Sequence, residues 1–343
     1  MASFTEINSG WDGNTGVWSD AMNWSPDIVP DNSECQSFNV EIAGAASAVS
    51  LDTNPDINSL KISSGATLAV DAGDLRVVTS EGVANNSILT INGGRTIFAG
   101  APMNISGSQP IQLVGGMLSS LSPTDTMTLT TPIEGYGLID AAISNQSTID
   151  ANVIGQILEI GGTLSATNDG SLRASNGGTL QLNRSIAGSG PLVAASGTIQ
   201  LSGFDISTIS ASTLDVLDGG QATLSGVSIL NTSGRVRLTC AAMLRGCNPP
   251  VLSVQGNSQL NIGDNLLLDG TVTVQVGSTA MVNLAGNFDN QSGSPNLFNW
   301  ASSPITLNGM APQSFEMAGQ DFLDSNPAGF INNFAMGTVR VEQ

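Results

Sequence analysis

Few residues in this sequence are able to do chemistry. Arg235 and Arg237 stand two apart, with Val236 and Leu238 as the alternating partners. On an extended strand that spacing puts both guanidinium groups on one face and both aliphatic side chains on the other. Two arginines on one face are suited to a sugar carboxylate, and an arginine beside Ca²⁺-binding acids is a lyase base. Arg173 and Arg184 are further candidates for that base. The Arg235/Arg237 pair is equally suited to ion pairing with Asp or Glu on a neighbouring strand, so it is a weak ligand candidate. Three carboxylate pairs stand close in sequence near turns: Asp71 with Asp74, Asp215 with Asp218, and Asp264 with Asp269. Paired carboxylates are the machinery of glycoside hydrolysis. None of these pairs forms a denser acidic motif, and solvated turn carboxylates account for them. No catalytic residue and no metal ligand is assigned.

The composition removes whole classes of mechanism. There is no His, which eliminates Ser-His-Asp and Cys-His nucleophile systems and His-containing zinc sites. No metalloprotease, phosphate-loop or dinucleotide motif occurs. Acidic residues number 28 against 9 basic, a formal net charge of −19. That balance argues against nucleic acid, which needs basic residues to displace phosphate counterions, and against anionic lipid. It fits a charge that keeps an extracellular protein soluble. No cofactor is implied, although acidic side chains suit Ca²⁺ uptake. No apolar run reaches the 18 or so residues of a membrane span. The start, MASFTEINSG, lacks the basic and apolar regions of a secretory signal. For an exported chain the expectation is therefore that a signal was removed and Met1 added.

The three cysteines are Cys35, Cys240 and Cys247. Cys240 shares strand parity with Val236 and Leu238, and Cys247 precedes the loop signal Asn248-Pro249-Pro250. Cys240 and Cys247 are the disulfide candidate; the alternative is two free buried thiols. A staple of that size adds roughly 2–3 kcal/mol. Cys35 is expected to be a buried, inert thiol.

The elements that must position these residues are strands. Runs of period two recur from about residue 38 onward: Ser37–Ile42, Ala66–Val70, Ser87–Ile91, Gly178–Leu182, Gly197–Leu201 and Gly270–Val276. Gly, Asn, Asp or Ser separates them, and no helical period persists beyond about two turns. Runs at roughly 8–12 residue spacing suit either a sandwich or a solenoid with several strands per coil. Three features favour the solenoid. The pattern continues without change of style. Inward positions are small or medium aliphatics, with aromatic residues only 4%. Gly and Asn crowd the corners, where left-handed backbone is needed.

The expected fold is all-β, a right-handed parallel β-helix (β-solenoid) of about 20 residues per coil, handed by the general rule for parallel connections. Aromatic-rich segments are expected to cap both ends. The organisation reads as an N-terminal Trp-rich cap over 1–36, a solenoid body over 37–285, and C-terminal coils and cap over 286–343. The first segment holds three of the four Trp and the last six of the ten Phe. A mild internal boundary falls within 102–150, where Pro110, Pro123 and Pro132 interrupt the pattern. Trp11, Trp18 and Trp24 are the structural cap candidates, with a sugar-stacking platform as the alternative.

The stretch Trp11-Asp12-Gly13-Asn14-Thr15-Gly16-Val17-Trp18-Ser19-Asp20-Ala21-Met22-Asn23-Trp24 resembles a recurring opening of large secreted bacterial β-helix surface proteins, W-x-G-x-x-G-x-W-x-[DN]-x-x-N-W. In those proteins a pair of strand motifs comes after the opening, and Ser59-Leu60-Lys61-Ile62 with Thr67-Leu68-Ala69-Val70 is similar to that pair. The middle is similar to autotransporter-type strand repeats. The segments 312–321 and 332–339 resemble closing coils of surface proteins that carry a C-terminal sorting tail, a tail absent here. The resemblance implies a location outside a bacterial cell and a repetitive shape more than an activity.

The expected function is an extracellular structural protein, a rigid rod serving as cell-surface spacer, adhesin or matrix and filament subunit. Its expected partner is itself, head to tail with a junction within 325–343, or a surface polysaccharide. The alternatives are a polysaccharide-active enzyme (lyase or glycosidase) and a carbohydrate- or Ca²⁺-binding module.

Overall fold

The computed structural model describes residues 5–44, 47–93, 95–240, 248–291, 298–300, 305–309 and 314–317. The fold is a parallel β-solenoid of about 11 turns. The described residues form 34 strands and a single short 3-10 turn, Ala21–Asn23. Of the closing motifs, 312–321 is described only over 314–317, while 332–339 and the suggested junction at 325–343 lie outside the described residues.

Backbone pairing explains why period-two runs give this fold. Apart from Trp24–Ser25, which pairs antiparallel with Thr5–Trp11, the strands sit in parallel register on those of neighbouring coils, so alternate side chains stack into columns. Many hydrogen bonds between neighbouring coils join residues 20 to 22 positions apart, as in Asp74 to Asn54 and Arg237 to Asp215. Inward positions form continuous aliphatic columns. Leu182, Leu201, Leu224, Val254 and Val276 follow one another in register, and none is more than 2% exposed. Burying each such side chain stabilises the fold by roughly 1.5–3 kcal/mol.

The chain divides into two compact units, 1–150 with 158–167, and 151–157 with 168–343. In the first unit Thr5–Trp11 already pairs in parallel with Gln36–Ile42 over seven positions. The Trp-rich opening is thus itself a coil. The corners bury polar groups with partners: Asn85, fully buried, donates Nδ2 to the carbonyls of Gln109 and Pro110 at 3.1 and 3.0 Å.

The second unit carries three columns of parallel strands. The first runs through Thr179–Leu182, the 198–203 arm of Thr198–Ala211, the 221–226 arm of Gln221–Thr232, then Val251–Val254 and Thr273–Val276. The second runs through the 207–211 arm, the 228–232 arm, Gln259–Ile262 and Met281–Leu284. The third runs through Ser171–Ser175, Leu192–Ala195, Leu214–Leu217, Val236–Thr239, Leu266–Asp269 and Phe288–Gln291.

Candidate functional site

The opening motif becomes a compact aromatic cluster. Trp18 and Trp24 are fully buried and Trp11 is 4% exposed. Trp24 packs edge-on against both neighbours, at centroid distances of 4.9 Å to Trp11 and 4.7 Å to Trp18. Its Nε1 donates to the Trp18 carbonyl at 2.8 Å, and Trp18 Nε1 donates to the Pro30 carbonyl at 3.1 Å. The polar residues of the motif have work of their own. Asp20 Oδ1 accepts from Met22 N at 3.1 Å and so caps the short turn. A Cβ on Gly13 or Gly16 would stand 2.8 or 2.5 Å from the Asn23 amide, so both glycines make room for that side chain. With their faces covered, these rings offer no stacking platform for a sugar.

The weak ligand candidates fall on the third column of the second unit. Val236 and Leu238 are fully buried, which turns Arg235 and Arg237 outward as the parity required. Arg237 sits in register with Asp215 of the preceding coil, its Nε 2.8 Å from Asp215 Oδ1. Arg235 Nε lies 3.9 Å from the same oxygen. The carboxylate between them is one of the paired-acid candidates, so two of the flagged groups are committed to each other. Arg173 is exposed on the third column, and Arg184 is only 5% exposed.

Of the other candidate carboxylates, Asp71 and Asp74 bond to neighbouring coils. Asp71 accepts from Ser50 Oγ at 3.0 Å and from the Asn92 amide. Asp74 Oδ1 accepts from Thr96 N at 2.8 Å. Asp218, exposed at a left-handed corner with φ of 44°, has its carbonyl on Ser196 Oγ at 2.7 Å. Asp264 and Asp269 are exposed. Lys61 Nζ lies 2.8 Å from Glu41 Oε1, and Arg76 Nη1 lies 3.0 Å from Asp56 Oδ2. Among the described residues no three His, Cys, Asp or Glu side chains gather closely enough to hold a metal ion. Nor is any helix among them long and apolar enough to cross a membrane.

The cysteines divide unevenly. Cys240 is disulfide-bonded, while Cys247 lies outside the described residues. Cys35 is a free thiol and is exposed, which corrects the expected burial. Its backbone explains this: the Cys35 carbonyl accepts from Thr5 N at 3.0 Å, and burial begins only with Ser37 and Phe38.

One array is not evident from the sequence. Asn231, Asn261 and Asn283 occupy one register position on successive coils of the second column. Asn261 Nδ2 donates to Asn231 Oδ1 at 2.6 Å, and Asn283 Nδ2 donates to Asn261 Oδ1 at 2.7 Å. Gln259 Nε2 also donates to Asn261 Oδ1, at 2.7 Å. The signal is present as Leu-Asn-Thr, Leu-Asn-Ile and Val-Asn-Leu, an Asn flanked by an inward aliphatic residue each time. The unequal spacings of 30 and 22 residues hide it.

Comparison of the chain with protein-family models, with curated proteins and with solved structures finds no match.

Proposed function

We propose that this chain is an extracellular structural protein, a solenoid that serves as cell-surface spacer, adhesin or matrix subunit. The observation that carries the reading is how the polar side chains are spent. Residues that chemistry would need are bonded from coil to coil: Asp215 to Arg237, Glu41 to Lys61, Asp56 to Arg76, and Asn231 to Asn261 to Asn283. Such contacts stiffen a ladder; they do not converge on a point where a substrate would react. Placement outside the cell is supported by the resemblance of the Trp11–Trp24 stretch and by the net charge of −19.

The test is negative-stain electron microscopy of the purified chain, with and without about 1 mM Ca²⁺, beside a polysaccharide binding and degradation screen. Ordered assemblies, or binding without cleavage, support the structural reading. Release of new sugar ends by the chain would sink it and install the lyase or glycosidase alternative.

A further inference from the structure

The sequence Asn-Gly-Gly occurs twice, at Asn92-Gly93-Gly94 and at Asn176-Gly177-Gly178. An Asn-Gly step is where a chain modifies itself most readily, because glycine has no side chain to keep its nitrogen away from the preceding carboxamide. The two copies share their reactive residues, so the fold is what distinguishes them. At the second copy the nitrogen is held. Gly177 N donates to the Ser196 carbonyl at 2.6 Å, and Gly178 N donates to the Ser175 carbonyl at 2.8 Å. A Cβ on Gly177 would stand 2.9 Å from Ile154 Cγ1, so this turn is also packed. At the first copy the surroundings are open. Ile88–Asn92 ends where its ladder to Ile111–Ser120 slips, with both Val114 and Gly115 in register with Asn92. A bulge of this kind disrupts pairing locally. Gly93 is exposed, and nothing lies within 4 Å of a Cβ placed on it. Among the described residues no turn or inter-coil backbone bond holds the Gly93 amide. The residue beside it on the next coil is Gly115, whose missing Cβ would stand 3.9 Å from Gly93 N.

We propose that Asn92 is a self-modification site, which deamidates in the folded protein while Asn176 is protected. The Gly93 nitrogen attacks Asn92 Cγ and forms the new C–N bond of a five-membered imide. The Cγ–Nδ2 bond breaks, and Nδ2 leaves as ammonia with the proton of the Gly93 amide. Water then opens the ring at either carbonyl and leaves aspartate or isoaspartate. Water is the one co-reactant. The consequence is set by what Asn92 touches. Its Nδ2 donates to Asp71 Oδ1, and Asp71 Oδ2 accepts from Ser50 Oγ at 3.0 Å, a link across three coils of the first unit. The bond to Asp71 restrains the carboxamide, so the folded rate at Asn92 lies below that of the unfolded chain and above that of folded Asn176. Reaction replaces the donor by a carboxylate facing a carboxylate, and like charges opposed on neighbouring strands repel. Isoaspartate also lengthens the backbone at the bulge. Deamidation therefore cuts the Ser50–Asp71–Asn92 link and opens the ladder at a defined corner. This holds whatever role the solenoid has at a surface.

The experiment is to age the intact chain in warm, mildly alkaline buffer, with and without urea, and to follow both sites by peptide mapping and mass spectrometry. In the native protein Asn92 should convert at least tenfold faster than Asn176, giving a doublet of aspartate and isoaspartate peptides. In urea the two sites should react at similar rates. Native rates that are equal, or faster at Asn176, overturn the proposal. So does a difference that persists in urea, which would assign it to flanking sequence and not to the fold. The consequence is read separately by melting Asn92→Asp, which carries the product's charge without the reaction. Its melting temperature should fall, and fall further in about 0.02 M than in 0.5 M NaCl, since salt screens the repulsion. Adding Asp71→Asn swaps donor and acceptor and should restore most of the loss. An Asn92→Asp protein that melts like the parent at both salt concentrations overturns the claim that the reaction opens the ladder.

Discussion

Arg237 stands directly over Asp215 in the parallel ladder, with Nε 2.8 Å from Oδ1, while Val236 stacks on Leu214 and Leu238 on Val216 beneath it. The pair closes a charge on a face whose opposite side is core. Asp215 is 15% exposed at its side chain and Arg237 is 35% exposed. Arg237→Ala removes the partner of a largely covered carboxylate and should cost about 1–2 kcal/mol. Arg235→Ala, at 3.9 Å, should cost less than about 1 kcal/mol. Urea unfolding of both variants checks the ranking, and equal losses would show that the in-register bond is not what matters.

Trp24 is the hub of the aromatic cluster, touching both other rings and binding the Trp18 carbonyl. Trp24→Ala should destabilise the first unit by about 3–5 kcal/mol. Trp24→Phe keeps much of the packing but leaves a carbonyl without its donor, a loss of about 1–3 kcal/mol. Thermal unfolding followed by tryptophan emission reads both, and an unchanged midpoint for the alanine variant would refute the hub role.

Gly73 marks where one coil lies directly against another. A Cβ there would overlap the Thr53 carbonyl oxygen, whereas nothing lies within 4 Å of a Cβ placed on Gly93. Gly73→Ala should lower the melting temperature clearly and Gly93→Ala scarcely at all. Comparable melting curves for the two would count against the close approach.

Among the described residues, Glu41 is an identifiable source of acid sensitivity. The Glu41 carboxyl is held below the usual carboxylate range, first by the hydrogen bond from Lys61, then by that from Ser63, with burial opposing. A depressed folded value means stability present above the unfolded value of about 4.3 and lost as pH falls through the folded one. Both side chains are about half exposed, 45% for Glu41 and 55% for Lys61, so the contribution is below about 1 kcal/mol. Melting of the protein and of Glu41→Gln from pH 7 to about 3 should show a small gap that closes at the acid end. A gap unaltered by acid would rule the carboxylate out as its source.

The thiols should separate by accessibility. In the native protein Cys35 should react with a maleimide within minutes, since it is free and exposed. Peptide mapping without reduction should recover Cys240 linked to Cys247. Two or more reactive thiols before denaturation would contradict this assignment.

Much of the fold is legible in the sequence because strand parity is a one-dimensional signal. The run Ser37–Ile42 is found as Gln36–Ile42, Ala66–Val70 as Thr67–Val70, and Ser87–Ile91 as Ile88–Asn92. The run Gly270–Val276 overshoots, since the strand starts at Thr273. Partnership across coils is not legible, because it depends on corner lengths that differ from coil to coil. The outward direction of Arg237 follows from its neighbours, but its choice of Asp215 does not. The Asn231–Asn261–Asn283 row stays hidden for the same reason. Cys35 misleads because a cysteine is usually buried, and here the backbone pairs while the side chain faces outward.

The coil that leads from Val236 to Leu266 is longer than its neighbours, since Asn261 finds Asn231 at a separation of 30 residues where 22 is common. Register nevertheless resumes on all three columns. The additional length falls in sequence between the strands Val236–Thr239 and Val251–Val254. In genetic terms, this ladder reads its own sequence in segments and ignores the punctuation between them. Insertions and deletions at corners are frame-neutral for the stack, while a one-residue change inside a strand inverts every face beyond it until the next turn. A lineage built on such a chain can lengthen it by duplicating coils and decorate it at corners without renegotiating the core.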